Sequence, residues 1–156
     1  MNTNSKISQH LQELGIVLPS AGAPAAAYVM VNQIEHIVYL SGHIAKQDGA
    51  VWVGKLGKNM TTANGKLAAR SVAIDLIASL QSHLGNLDRV KKIIKLTSLV
   101  NSTEEYTEHH LVTNGCSELL VEVFGELGKH ARSAFGVAQL PLGACVEIEM
   151  IVEVSV

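Results

Sequence analysis

The chain has 156 residues, 47% apolar but only 4% aromatic, with a formal net charge of −2 and a pI near 6.4. That balance argues against a general nucleic-acid partner, which needs a basic face to displace counterions, and no run approaches the roughly 18 uninterrupted apolar residues of a membrane span. Such a length is most simply one domain, 1–156, able to bury roughly 70% of its unfolded surface. With so few rings the core has to be built from Ala, Val, Leu and Ile. No basic segment leads an apolar one at the N-terminus, as in an export signal, so a cytoplasmic location is expected. The two cysteines, Cys116 and Cys145, fall in patterned apolar segments, where buried, reduced thiols are expected.

The first element is a short helix over Ser5–Leu14, with Ile7, Leu11 and Leu14 on one side and Gly15 ending it. It reads as an extension (1–20) packed on a core beginning near residue 26. Leu18–Pro24, with two prolines and a glycine, is extended loop. Tyr28–Val31 and Ile34–Ser41 read as a hairpin, with Gly42 ending its second strand where the backbone can approach a ligand closely. Asp48-Gly49 marks a turn before a short Val51–Val53 strand.

From Thr61 to Leu84 the period becomes helical. Ala69, Val72, Ala73, Leu76, Ile77, Leu80 and Leu84 form one stripe, and Gly85 is the stop. Lys91–Val100 reads as a strand. A second long helix covers Leu111–Leu127, burying Cys116, Leu119, Leu120, Val123, Phe124 and Leu127. The remainder reads as two strands joined by a tight Leu140-Pro141-Leu142-Gly143 turn. After the turn Val146, Ile148, Met150, Val152 and Val154 point one way, and Cys145, Glu147, Glu149, Ile151 and Glu153 the other. This order predicts an α+β fold, a mixed sheet with both long helices on one face. The glutamate-bearing face is then either solvated or buried against another copy.

Several chemistries lack support. There is no Cys-x-x-Cys or His-Glu-x-x-His metal motif, no Gly-x-Ser-x-Gly elbow around Ser41, and no phosphate-cradling glycine loop. Glu108-His109-His110 reads as a solvated helix start, since adjacent histidines diverge by about 100° on a helix. His130 is either a proton shuttle or a loop histidine without a role. What stands out is Arg132, a lone guanidinium among small and apolar residues, which needs an anion, carbonyls or water as partner. A hairpin through the Leu140–Gly143 turn would bring Glu147 beside it. The two then either pair with each other or with backbone carbonyls, or act together on a ligand.

Arg132-Ser133-x-x-x-Val137-x-x-Leu140-Pro141, followed by the apolar-Glu147-Ile148-Glu149 strand, resembles the C-terminal signature of the RidA family, also called YjgF or L-PSP endoribonuclease. Val38-Tyr39-Leu40-Ser41-Gly42-His43-Ile44 resembles that family's other marker, a strand ending in Ser-Gly-Gln-Ile. The resemblance covers Ala26 to the C-terminus. It implies a homotrimer with sheets facing inward and ligand clefts at the subunit interfaces. Arg132 would hold the substrate carboxylate and Glu147 would position or activate water. Asn114, Gly42 and the backbone amide of Ala134 would line the cleft, with Tyr28 as the candidate for the family's cleft tyrosine. The chain departs from the pattern at Pro24–Val29, where the enamine deaminases carry Gly-Pro-Tyr-Ser-Gln, and at Ala134, where a cysteine often stands. The N-terminal helix has no counterpart in that pattern.

The activity implied is cofactor-free hydrolysis of small 2-imino or 2-enamino acids to 2-oxo acids and ammonia, with no metal required. A trimer that captures small carboxylates without turning them over is the alternative. Ribonuclease activity, suggested by the family's older name, fits poorly with an acidic chain scarce in aromatic residues.

Overall fold

The computed structural model describes residues 5–155; residues 1–4 of the expected N-terminal extension lie outside them. Among the described residues seven strands and three α-helices follow in the order α1 (Lys6–Glu13), β1 (Val31–Ile34), β2 (Ile37–Ile44), β3 (Lys46–Gln47), β4 (Ala50–Val51), α2 (Thr62–Leu84), β5 (Val90–Asn101), α3 (His109–Phe124), β6 (Ala131–Val137) and β7 (Val146–Val154). The main sheet has the order β1-β2-β7-β5-β6. β5 and β6 are parallel, whereas β7 runs antiparallel to both β5 and β2.

Connectivity explains why the helices share a face. The chain steps from β2 through α2 to β5, and from β5 through α3 to β6, always toward the same sheet edge. Right-handed crossovers in one direction stack their helices on one side. β7 then fills the gap left between β2 and β5. The α+β fold with one covered face is thus as the pattern implied.

The last two strands are not a hairpin. β6 lies beyond β5 at the sheet edge, and the eight residues after it carry the chain across the end of β5 into the slot beside β2. That passage is anchored where the Asn101 amide donates to the Cys145 carbonyl and the Asn101 side chain to that of Ala144, at 2.9 and 3.1 Å. The Pro141 turn is a crossing, with Leu142 (φ 58°) and Gly143 (φ 72°) both left-handed. Cys145 precedes β7 and is buried, so it does not lie on the open face with the glutamates. Within β7 the expected alternation holds: Val146, Ile148, Met150, Val152 and Val154 are buried, and Glu149 and Glu153 are exposed.

Other expectations shift by a few residues. The first hairpin turns at Glu35-His36, giving β1 three residues later than its apolar content suggests; Glu35 takes φ 49°, a conformation that its residue type does not advertise. Gly42 lies inside β2, at an irregularity in its pairing with β7 between Leu40 and His43. The Asp48-Gly49 turn is present with both residues at positive φ, joining β3 to β4, while Val53 makes only an isolated bridge to Ala144. α3 stops at Phe124 and tightens into a 3₁₀ turn over Gly125–Gly128, which leaves Leu127 exposed.

α2 matches its pattern from the Thr61 cap, whose side chain accepts from the Asn64 amide, to Gly85 in the left-handed region. Every residue of its expected stripe is buried. The α1 N-terminus is held by Asp88, which accepts from the Ser5 hydroxyl at 2.8 Å and from the Lys6 and Ile7 amides at 2.9 Å. Burial alone would raise the Asp88 pKa, but these hydrogen bonds from Ile7, Ser5 and Lys6 together hold it below the ordinary value. Cys116 and Cys145 are free and buried, and burial pushes their thiols up to about 12 and about 11.

α2 and α3 approach closely at Gly115. A Cβ built there would overlap the Lys66 carbonyl and lie 3.1 Å from the Arg70 amide. Helix propensity alone favours Gly115→Ala by about 1 kcal/mol. Overlap with backbone that cannot swing aside costs about 1–3 kcal/mol or more, so the variant should be less stable than the parent. A lowered urea midpoint is expected; a raised one would mean that the helices do not touch there.

Candidate functional site

The expected site residues fall into two groups. In the first, Tyr28, Gly42 and Glu147 line a cavity of about 500 Å³ together with His43, Lys46, Asp75 and Leu142. The cavity wraps the free edge of β2, exposed because β1 pairs no further than Leu40. Gly42 is what admits Glu147. A Cβ on residue 42 would sit on the Glu147 carboxylate, overlapping Oε1 and 2.9 Å from Cδ. Among the described residues Glu147 has neither hydrogen-bond nor ion-pair partner. Burial raises its pKa, and the Glu149 charge, two residues along the same face, raises it further.

In the second group, Arg132 on β6 reaches α3. Its Nη1 donates to Ser117 Oγ at 2.9 Å and its Nη2 to the His110 carbonyl at 3.0 Å. Asn114 lies between these two contacts on the same helical stripe, half-buried. Ala134 follows on the same face of β6, opposite the buried Ser98. Of the alternatives open at the sequence level, Arg132 takes a hydroxyl and a carbonyl.

It does not pair with Glu147. Arg132 registers with Leu96 and through it with Met150, both in the helix-covered core, whereas Glu147 registers with Leu99 and through it with Phe135, on the open face. β5 separates the two residues, and they point to opposite sides of the sheet. The expected hairpin proximity fails because β6 and β7 are not neighbours.

Sequence reasoning gave no role to three groups around these residues. His43 stands where the family marker has glutamine and is almost fully buried. Its Nδ1–H donates to the Ser41 carbonyl at 2.6 Å, and the Ser79 hydroxyl donates to Nε2 at 2.7 Å. Burial lowers its pKa, against the raising effect of the Ser41 carbonyl and of Asp75. Lys46 and Asp75 form an ion pair at 3.1 Å on the cavity wall. Nothing local links residues from β3 and α2, so no pattern announces them. His109 is not solvated as expected: it is half-buried, 3.0 Å from Ser102 Oγ and edge-on to Tyr106, and burial lowers its pKa. Among the described residues no group of three His, Cys, Asp or Glu could hold a metal ion, and no helix is long and apolar enough to cross a membrane.

Comparison with known proteins agrees with this architecture. Residues 8–154 match the family model described as YjgF/chorismate mutase-like, putative endoribonuclease. Protein TCP17 of Trypanosoma cruzi is 44% identical over 154 residues, covering 97% of this chain and 96% of its own. The crystal structure of Atu1372, a protein of unknown function from Agrobacterium tumefaciens, superposes with a TM-score of 0.88 at 38% identity, covering 96% of this chain and 92% of that one. A putative endoribonuclease from Shewanella oneidensis MR-1 gives 0.91 at 28% identity, covering 97% and 100%. Matches of this extent take in α1.

The contact at Gly42 yields a direct test. In Gly42→Ala the new methyl group should push the flexible Glu147 carboxylate out of the cavity at small cost in stability. The raised Glu147 pKa should then fall back toward the ordinary carboxylate value, as followed by carbon-detected NMR titration. An unmoved pKa would show that Gly42 does not shape the carboxylate's surroundings.

Proposed function

The chain belongs to the YjgF/chorismate mutase-like, putative endoribonuclease family, and on that footing we propose that it hydrolyses small 2-imino or 2-enamino acids to 2-oxo acids and ammonia, without a cofactor, in clefts between the copies of a homotrimer. One observation carries the reading. Arg132 and Glu147 lie on opposite faces of one sheet, and among the described residues neither has a counter-charge. A half-buried guanidinium and a half-buried carboxylate left unneutralised are costly to a fold. As two halves of a site they make sense. β6 is an edge strand and carries Arg132 to the rim of the sheet, while the open face presents Glu147. A cyclic assembly can bring the rim of one copy to the open face of the next.

The chemistry follows from the two groups. Arg132 offers spare N–H donors to a carboxylate in a planar fork. Glu147, beside the cavity, takes a proton from water as the water oxygen bonds to C2 and the C=N electron pair moves to nitrogen. The proton passes on to nitrogen, giving a carbinolamine; its hydroxyl proton then moves by way of Glu147 to the amino group as the C–N bond breaks, so that ammonia leaves and the 2-oxo acid remains. A carboxylate whose pKa is raised by burial is a stronger base for this step than a solvated one. RNA cleavage, the activity in the Shewanella protein's name, is disfavoured by the glutamates on the open face, which would repel phosphates.

Arg132→Ala and Glu147→Gln should each lower ammonia release from enzymatically generated 2-iminobutyrate by about 10²–10⁴-fold. Refolded together in equal amounts, they should regain about a quarter of parental activity, the chance that an intact arginine faces an intact glutamate across a cyclic interface. No recovery on mixing would sink the shared cleft. The parent's activity should fall on acidification through the raised Glu147 pKa, because the base must be ionised, so the acid limb should lie above 4.5. A parent that binds 2-oxobutyrate but releases no ammonia would be a binding protein and not an enzyme.

A further inference from the structure

Arg132 is the first member of a chain of polar contacts. Ser117 Oγ accepts from Arg132 Nη1 at 2.9 Å and lies 2.9 Å from His130 Nε2, while His130 Nδ1 lies 2.6 Å from the Gly128 carbonyl. Each proton in this chain has one place. A carbonyl only accepts, so Nδ1 carries the imidazole proton and Nε2 is left as an acceptor. The Ser117 hydroxyl therefore donates to Nε2, and its lone pairs face the guanidinium. The His110 carbonyl fixes the other Nη at 3.0 Å. The two α3 contacts are seven residues apart, about two helical turns, so one helix holds both Nη atoms of the planar group.

We infer that Ser117 and His130 are positioning residues that orient the Arg132 guanidinium before any ligand arrives. The inference rests on the carboxylate-anchor reading of Arg132 for its purpose, and on the contacts above for its geometry. A hydroxyl rotor without His130 has no fixed direction and can turn its proton toward the arginine. With Nε2 as its acceptor it is locked as a partner for a cation. The imidazole suits this part because burial, and then the Arg132 charge, lower its pKa against the raising effect of the Gly128 carbonyl. Glu126 and Lys129, the charged residues before it in the chain, pair with each other at 2.6 Å. Pre-orientation strengthens binding by removing the ordering cost at the moment of contact.

The test needs no ligand for its first half. Arg132 is one of three arginines, with Arg70 and Arg89, so its guanidinium signals can be assigned by nitrogen-15 NMR with Arg132→Lys as the blank. Rotation about Nε–Cζ should be slow in the parent, faster in Ser117→Ala and His130→Ala, and slow again in His130→Gln, whose side-chain oxygen can replace Nε2 as acceptor. Equal rotation in all four would overturn the inference. In the second half, 2-oxobutyrate should bind about fivefold more weakly to Ser117→Ala and to His130→Ala. It should bind no more weakly to the double variant, because His130 acts through Ser117. Additive losses would mean separate structural effects and would also overturn it. If the rotation rates behave as expected but Arg132→Ala binds 2-oxobutyrate as the parent does, the anchor reading falls and the clamp on Arg132 stands.

Discussion

The one-sidedness of the helices governs the rest of this molecule. Two crossovers of the same hand, both stepping toward β6, place α2 and α3 on a single face, and among the described residues no helix covers the other. The late insertion of β7 between β2 and β5 completes the sheet but adds three glutamates to its open side. The uncovered face, the exposed β6 edge and the separation of Arg132 from Glu147 all descend from that topology.

Scarcity of aromatic residues shapes the covered side. A core of Ala, Val, Leu and Ile fills little volume per residue, so the layers have to approach closely to exclude voids. Gly115 lets α3 settle against the backbone of α2, and Gly65 of α2 makes room for Val112 of α3 and for Leu56 from the segment before α2. Across the solvent side of the same contact, Lys66–Glu118 and Arg70–Glu122 are exposed ion pairs worth only tenths of a kcal/mol to about 1 kcal/mol each. Packing, not charge, sets the helix spacing. On its other side α3 faces β6, where Ser117 and the His110 carbonyl meet Arg132.

Histidines serve this fold as directed acceptors. His43 and His130 both commit Nδ1–H to a nearby carbonyl and offer Nε2 to a serine on a neighbouring helix, and burial lowers the pKa of each. A neutral imidazole of fixed tautomer can order a hydroxyl where lysine or arginine, which only donate, cannot. One such unit braces the strand that carries Gly42, and the other braces the arginine.

Patterns with a short physical range were legible in the sequence. The α2 stripe and its glycine stop, the Asp48-Gly49 turn and the alternation along β7 each depend on neighbours within a few residues. Each was found where propensity and periodicity put it. The β1 hairpin was displaced because Glu35 adopts a positive φ that its residue type does not signal, and Leu127 was lost to a 3₁₀ turn that breaks the helical period. The motif residues around Arg132 and Glu147 were recognisable as a set, but their grouping was not. Whether two strands adjacent in sequence pair, or pass on either side of a third, depends on the hand of crossovers and on which gap in the sheet is open when the last strand arrives. Those are properties of the assembled layers. Residue types and spacing therefore identified Arg132 and Glu147, and only the tertiary structure decided that one sheet holds them apart.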